Sequence, residues 1–197
     1  MKSFDFYFDF GSPASWLAHT QIKALCAATG ATVNWQPMLL GGVFAATGNH
    51  SPVTIPAKGK YVFKDLARFA KRYGVPLNPN PNFPINTLTL MRIAVGLQTS
   101  GDARLATFMD TVYQAIWQDA KSMNDAAVVA EVLQAAGFDA AQLMALAADP
   151  AVKEALKLQT QTAVERGVFG APTFFVGPHM FWGQDRLDFV REALDAV

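Results

Sequence analysis

Aromatic and polar side chains alternate through residues 4–10, FDFYFDF, the period-two pattern of a strand. The period then changes. SWLAHTQIKALCAATG, residues 15–30, spaces its apolar positions as a helix does. Ser12 is suited to cap that helix, and Pro13 to its first position, where a missing N–H costs nothing. Gly30 closes the helix, and ATVNWQP, residues 31–37, reads as a second strand, completing a β-α-β opening. At the other end, Asp149-Pro150 starts a helix running through Arg166, with Gly167 as terminator. PTFFVG and HMFWG then read as two short strands joined at Gly177-Pro178. A last helix begins near Asp185, with Leu187, Val190, Leu194 and Val197 in one apolar stripe suited to packing on a sheet.

Between these ends the pattern is overwhelmingly helical. Leu105, Phe108, Met109, Val112, Ile116 and Trp117 keep helical spacing over several turns. Asn124 to Gly137 and a stretch from Asp139 predict two further helices, and NPNPNFP, residues 78–84, a stiff extended loop. The expected architecture is α/β: a β-α-β plus β-β-α core, residues 1–38 and 150–197, carrying an all-helical insertion over 39–149.

Composition narrows the partners. Sixteen basic residues balance sixteen acidic ones, so no basic excess points to nucleic acid. No apolar run is long enough to cross a bilayer, and Asp5 and Asp9 break the N-terminal apolar stretch where a signal peptide would tolerate no acid. The single cysteine, Cys26, excludes an intrachain disulfide, which makes the cytoplasm the expected location. Cys26 sits among alanines in a helical pattern and reads as a small buried thiol. His19, His50 and His179 are scattered, without metal-ligand spacing.

Two segments carry candidate chemistry. A strand that turns directly into a helix at Ser12-Pro13-Ala14-Ser15 sets the Ser12 hydroxyl among unpaired backbone N–H groups, where the helix dipole favours negative charge. No base or GxSxG elbow accompanies it, so Ser12 is a poor nucleophile. It can donate a hydrogen bond to an anion such as a thiolate, or simply cap the helix. The second segment is Gly170-Ala171-Pro172-Thr173-Phe174. A proline just before a strand cannot donate to the ladder, and a cis bond there would turn the Ala171 N–H and C=O outward to pair with an extended peptide. An isolated X-Pro bond is ordinarily trans; combined with the Ser-Pro-x-Ser helix start, cis is the expectation.

Together these motifs resemble the disulfide-oxidoreductase branch of the thioredoxin superfamily. The likeness is closer to its kappa-class glutathione transferases and 2-hydroxychromene-2-carboxylate isomerases. FDFGSPASWLA (8–18), ATGN (46–49), Lys58-Gly59 with Tyr61 and Asp65-Leu66, FGAPTFFV (169–176) and FWGQDRL (181–187) carry the resemblance across nearly the whole chain. It implies a thioredoxin-like fold, glutathione as cofactor and a homodimer. Ser12 would hydrogen-bond the glutathione sulfur, Ala171 would pair with its cysteine backbone, and Trp182, Gly183, Gln184 and Asp185 would meet its γ-glutamyl end. Asp185 is equally suited to cap the last helix, and Arg186 is either a surface charge or a partner for a glutathione carboxylate. Asn49 is a cleft contact or a turn residue after Gly48. Lys58 is a solvated charge or the partner of a substrate carboxylate, with Arg92 and Lys60 weaker candidates of the same kind. Trp16 and Trp117 read as core.

Relatives with a redox function carry cysteines where this chain has Ser12 and Ser15, so it cannot exchange dithiols unaided and the reactive sulfur must come from a cofactor. The resemblance implies interconversion of 2-hydroxychromene-2-carboxylate and trans-o-hydroxybenzylidenepyruvate in breakdown of naphthalene-type aromatics, the substrate being a small aromatic carboxylate. A glutathione thiolate adds, permits bond rotation and departs. A kappa-like transferase or peroxidase, which would consume glutathione, and a non-catalytic thioredoxin-like binding module are the rival readings.

Overall fold

The computed structural model describes residues 1–197. Its four strands, β1 (Ser3–Phe8), β2 (Thr32–Pro37), β3 (Thr173–Val176) and β4 (His179–Trp182), form one mixed sheet in the order β2-β1-β3-β4. β1 and β2 are parallel, from Ser3 opposite Thr32 to Phe8 opposite Pro37, with helix α1 (Pro13–Thr29) as the crossover. β3 returns antiparallel to β1, setting Phe6 opposite Phe174, and β4 pairs antiparallel with β3. This is the thioredoxin-like α/β arrangement the motifs imply, and the expected β-α-β and β-β-α units are both present.

β1 is an inner strand covered on both faces, which accounts for its aromatic content on alternate sides. Phe4, Phe6 and Phe8 face the main core, where the Phe6 ring stacks on Phe174 with centroids 4.8 Å apart. Tyr7 faces the other way, into a smaller cluster with Phe175, Val43 and Ala163, between the sheet and helices α2 (Leu40–Thr47) and α8 (Pro150–Glu165). The Arg166 guanidinium lies over the Phe175 ring, 3.9 Å from its centroid, and pairs with Asp5, tying the end of α8 to the sheet.

The expected strand over 4–10 stops at Phe8. Asp9 and Phe10 belong to the turn, yet both are buried, Phe10 against the Tyr113 ring, so the alternation outlasts the strand. The last helix, α9 (Leu187–Asp195), begins after a 3-10 turn at Gln184–Arg186. Val190 and Leu194 are buried as expected, but Val197 lies beyond the last turn and is 74% exposed, so the stripe ends at Leu194.

The residues expected as an insertion, 39–149, hold α2 together with α3 (Pro56–Tyr73), α4 (Leu88–Thr99), α5 (Leu105–Tyr113), α6 (Ala126–Ala135) and α7 (Ala140–Ala148). The continuous helix expected over 105–117 changes at Gln114 into a π-helical turn, Gln114–Gln118. Such turns leave carbonyls without their usual partners. The asparagine-rich loop supplies donors to this region: Asn78 N–H reaches Trp117 O at 2.7 Å, and Asn80 Nδ2 reaches Ile116 O and Lys121 O, both at 3.0 Å. Thirty-nine buried residues form one continuous core, from Phe4 and Phe174 in the sheet through Leu90, Ile93 and Met109 to Leu143. No helix is long and apolar enough to cross a membrane.

Candidate functional site

Ser12 caps α1: its Oγ accepts the Ser15 N–H at 3.1 Å, and Pro13 follows at the first helical position. The same hydroxyl donates to the Ala171 carbonyl at 3.0 Å, joining two segments 159 residues apart. Ala171-Pro172 is cis, as expected. The Ala171 N–H is in none of the backbone hydrogen bonds, whereas its carbonyl, expected to be free for an incoming peptide, is met by Ser12. A hydroxyl has one proton. In this arrangement Ser12 spends it on Ala171.

The proposed cofactor contacts Asn49 and Trp182 to Asp185 attach to the segment that runs through Ala171-Pro172, the Gly183 N–H reaching Pro172 O at 3.0 Å. The Asn49 amide donates to Phe169 O at 2.8 Å, fixing the end of α2 beside the segment that leads to Ala171. The Trp182 indole is half exposed and packs on Phe169, with centroids 5.0 Å apart. It lies so close over Gly170 that a Cβ there would come within 2.7 Å of Nε1. Gly183 has φ +113°, and a Cβ on it would meet Asp185 Oδ1 at 2.6 Å, so this turn requires glycine. Gln184 is buried, and its carbonyl accepts from the Tyr73 hydroxyl at 3.1 Å. Asp185 does not cap α9: that helix has no side-chain cap, and the carboxylate instead faces its neighbour Arg186 at 3.6 Å on the surface. The 3-10 turn moves the helix start past Asp185, which removes its capping geometry.

Lys58 and Lys60 stand exposed on the first turns of α3, and no contact in the chain ties either to Ser12. Arg92 lies in α4, half-buried. Trp16 and Trp117 are core residues with satisfied indoles, bonded to Pro76 O at 3.0 Å and Phe10 O at 2.8 Å. Cys26 is only half-buried, because its side of α1 is not fully covered; burial pushes its thiol up, away from the reactive thiolate.

The residue that sequence reasoning missed is Asp9. It is 2% exposed, and three donors converge on its carboxylate: Gly11 N–H at 2.9 Å, Leu40 N–H at 2.8 Å and the Thr87 hydroxyl at 2.6 Å. Its own carbonyl accepts the Ser12 N–H at 3.1 Å. One buried carboxylate therefore holds the loop before Ser12, the start of α2 and the approach to α4 in register. Burial pushes its pKa above the ordinary 3.8, against the pull of Thr87, Gly11 and Leu40. The only sequence signal is an acid directly before Gly-Ser at a strand end, and nothing local announces Leu40 or Thr87. Behind α1, the fully buried Ser15 hydroxyl lies near Tyr113, whose phenol burial keeps un-ionised, aided by the charge of Asp9.

The sequence matches the DsbA-like thioredoxin domain over residues 4–195. It is 35% identical to a 2-hydroxychromene-2-carboxylate isomerase of Pseudomonas putida, over 96% of this chain and 93% of that protein. Glutathione S-transferase kappa 1 of Caenorhabditis elegans is 28% identical over 96% of this chain and 89% of its own length. A solved 2-hydroxychromene-2-carboxylate isomerase superimposes with a TM-score of 0.86 at 33% identity, covering 98% of this chain and 95% of that one. With a cysteine-free helix start joined to a cis-proline loop inside this fold, the chain belongs to the 2-hydroxychromene-2-carboxylate isomerase family of DsbA-like thioredoxin proteins.

Proposed function

We propose that the protein is a glutathione-dependent isomerase that interconverts 2-hydroxychromene-2-carboxylate and trans-o-hydroxybenzylidenepyruvate. The observation that carries this reading is the Ser12–Ala171 hydrogen bond at the head of α1. The residues present fit the tripeptide. Ala171 offers a peptide N–H without a backbone partner and a carbonyl held only by a hydroxyl, the two groups an extended peptide needs. A peptide N–H supplied to that carbonyl releases the Ser12 proton for a sulfur anion, while Ser15 N–H keeps Ser12 oriented from behind. Bound glutathione supplies a thiolate that adds reversibly to the conjugated substrate. Ser12 and the helix N-terminus favour its ionised form. Gln184 and Asp185, with Trp182 and Gly183 as the approach, are proposed to hold the γ-glutamyl end, Asn49 to order the Phe169 side of the cleft, and Lys58 to meet the substrate carboxylate.

The kappa-class relatives favour a second reading, conjugation of glutathione to an electrophile. Purified protein incubated with glutathione and the chromene separates the two. Catalytic isomerisation with the free thiol count unchanged is expected; stoichiometric thiol loss assigns the chain to transfer instead.

A further inference from the structure

A groove of about 550 Å³ lies between α2, α4 and α8, within the roughly 300–1,000 Å³ typical of small-molecule sites. Leu39, Leu88 and Leu156 give it an apolar lining. Its charged lining is Arg92, Lys153, Lys157 and one acid, Glu154, and that acid is engaged by Lys157 at 3.2 Å. Arg92 and Lys153 take part in none of the chain's ion pairs. Arg92 Nε is buried with no hydrogen-bond partner. An unpaired, half-buried guanidinium loses hydration without recovering it elsewhere, a cost that a bound anion removes. The neighbouring polar groups do not remove it: the Thr160 hydroxyl already donates to Leu156 O and accepts from Leu39 N–H, and Gln161 bonds Glu165. A second cavity, about 320 Å³ beside Pro84 and Met123, has no charged side chain in its lining.

We infer that this groove binds a small amphipathic carboxylate, with its apolar body on the leucines and its carboxylate on Arg92, assisted by Lys153. The planar fork of a guanidinium matches a carboxylate in two parallel hydrogen bonds, whereas an ammonium acts as a point charge, which assigns the leading role to Arg92. The leucine lining distinguishes this ligand from a bare anion. Leu39 and Leu88 each adjoin, in sequence, a residue bonded to the buried Asp9 carboxylate, so the occupied groove would abut the support of the Ser12 loop. The inference does not rest on the isomerase reading, because it concerns binding in the absence of glutathione.

The test is titration calorimetry of the full chain, without glutathione, against 2-naphthoate, octanoate, 2-naphthalenemethanol and inorganic phosphate. Saturable binding of 2-naphthoate or octanoate is expected, with the alcohol and phosphate at least tenfold weaker. An aromatic source of the carboxylate would show as preference for naphthoate, an aliphatic one as preference for octanoate. Arg92→Gln should weaken binding at least tenfold and the exposed Lys153→Gln by a smaller factor, while Lys23→Gln, exposed on α1 and outside the groove, leaves it unchanged. Arg92→Gln is to be compared at matched circular dichroism, and Lys153→Gln serves if that variant does not fold. Absence of saturable carboxylate binding, phosphate binding as tight as naphthoate, or indifference to both Arg92→Gln and Lys153→Gln overturns the assignment.

Discussion

Ser12 does two separable things, and their magnitudes differ enough to be told apart. As a helix cap it is worth about 1 kcal/mol, which for a chain of this size moves the melting temperature by roughly 2–4 °C. As donor to an ionised sulfur it would be worth about 1.5–3 kcal/mol, or roughly 10- to 150-fold in the stabilised anion. Ser12→Ala is therefore expected to lose most turnover while melting only a few degrees lower; near wild-type isomerisation would remove the thiolate role. Ser12→Cys should instead trap glutathione as a mixed disulfide under oxidising conditions, visible as a mass increase that a reductant reverses. Asp9 gives a prediction in pH. Its folded pKa lies above the ordinary 3.8, so the native state holds this proton more tightly than the unfolded chain. Its contribution to stability is fully present below the unfolded value and is lost as pH rises through the raised folded one. Asp9→Asn, which cannot ionise, removes this dependence but turns an amide N–H₂ towards a donor, costing about 1–3 kcal/mol. Urea unfolding from about pH 4 to about pH 7 should show wild type losing ground to the variant as pH rises. A constant difference across that range would mean that Asp9 does not titrate with folding.

At the scale of elements, what was legible from the chain was what depends on neighbours in sequence. The cap at Ser12, the left-handed Gly30, the Asp149-Pro150 start of α8 and the turn at Gly177 all follow from local backbone chemistry. The π turn after Tyr113 was not legible, because the donors from Asn78 and Asn80 come from a loop more than thirty residues away. Gly96 is a second case. It sits inside α4, where glycine costs about 1 kcal/mol relative to alanine. The structure supplies the reason for tolerating it: a Cβ would lie 2.6 Å from Leu146 Cγ in α7. Overpacking of that kind costs about 1–3 kcal/mol, so Gly96→Ala is expected to be neutral to destabilising by up to about 2 kcal/mol, not stabilising as helix propensity alone would have it. Shortening the partner should reverse the sign. In a Leu146→Ala background, Gly96→Ala is expected to stabilise by about 1 kcal/mol in denaturant titration. Strict additivity of the two substitutions would dismiss the contact.

For the whole molecule, the core runs unbroken from the sheet into the inserted helices, and Trp16, Trp35 and Trp117 all pack in or against it. Tryptophan fluorescence and far-ultraviolet circular dichroism should therefore report one coincident unfolding transition, whereas two would mark the insertion as an independent unit. The sequence by itself determined the order of strands and helices at the two ends of the chain, the cap at Ser12 and the motifs that named the family, because periodicity, capping and turn chemistry act over a few residues. Only the tertiary structure decided that the Ser12 proton lies on Ala171, that Asp185 faces Arg186 instead of capping α9, and that a buried Asp9 supports the loop. The first and last depend on contacts across tens to more than a hundred residues, and the second on the 3-10 turn that sets where α9 begins. Which atoms meet there is decided by how the sheet and helices pack, and a hydroxyl with one proton or a carboxylate with three donors takes its role from that meeting.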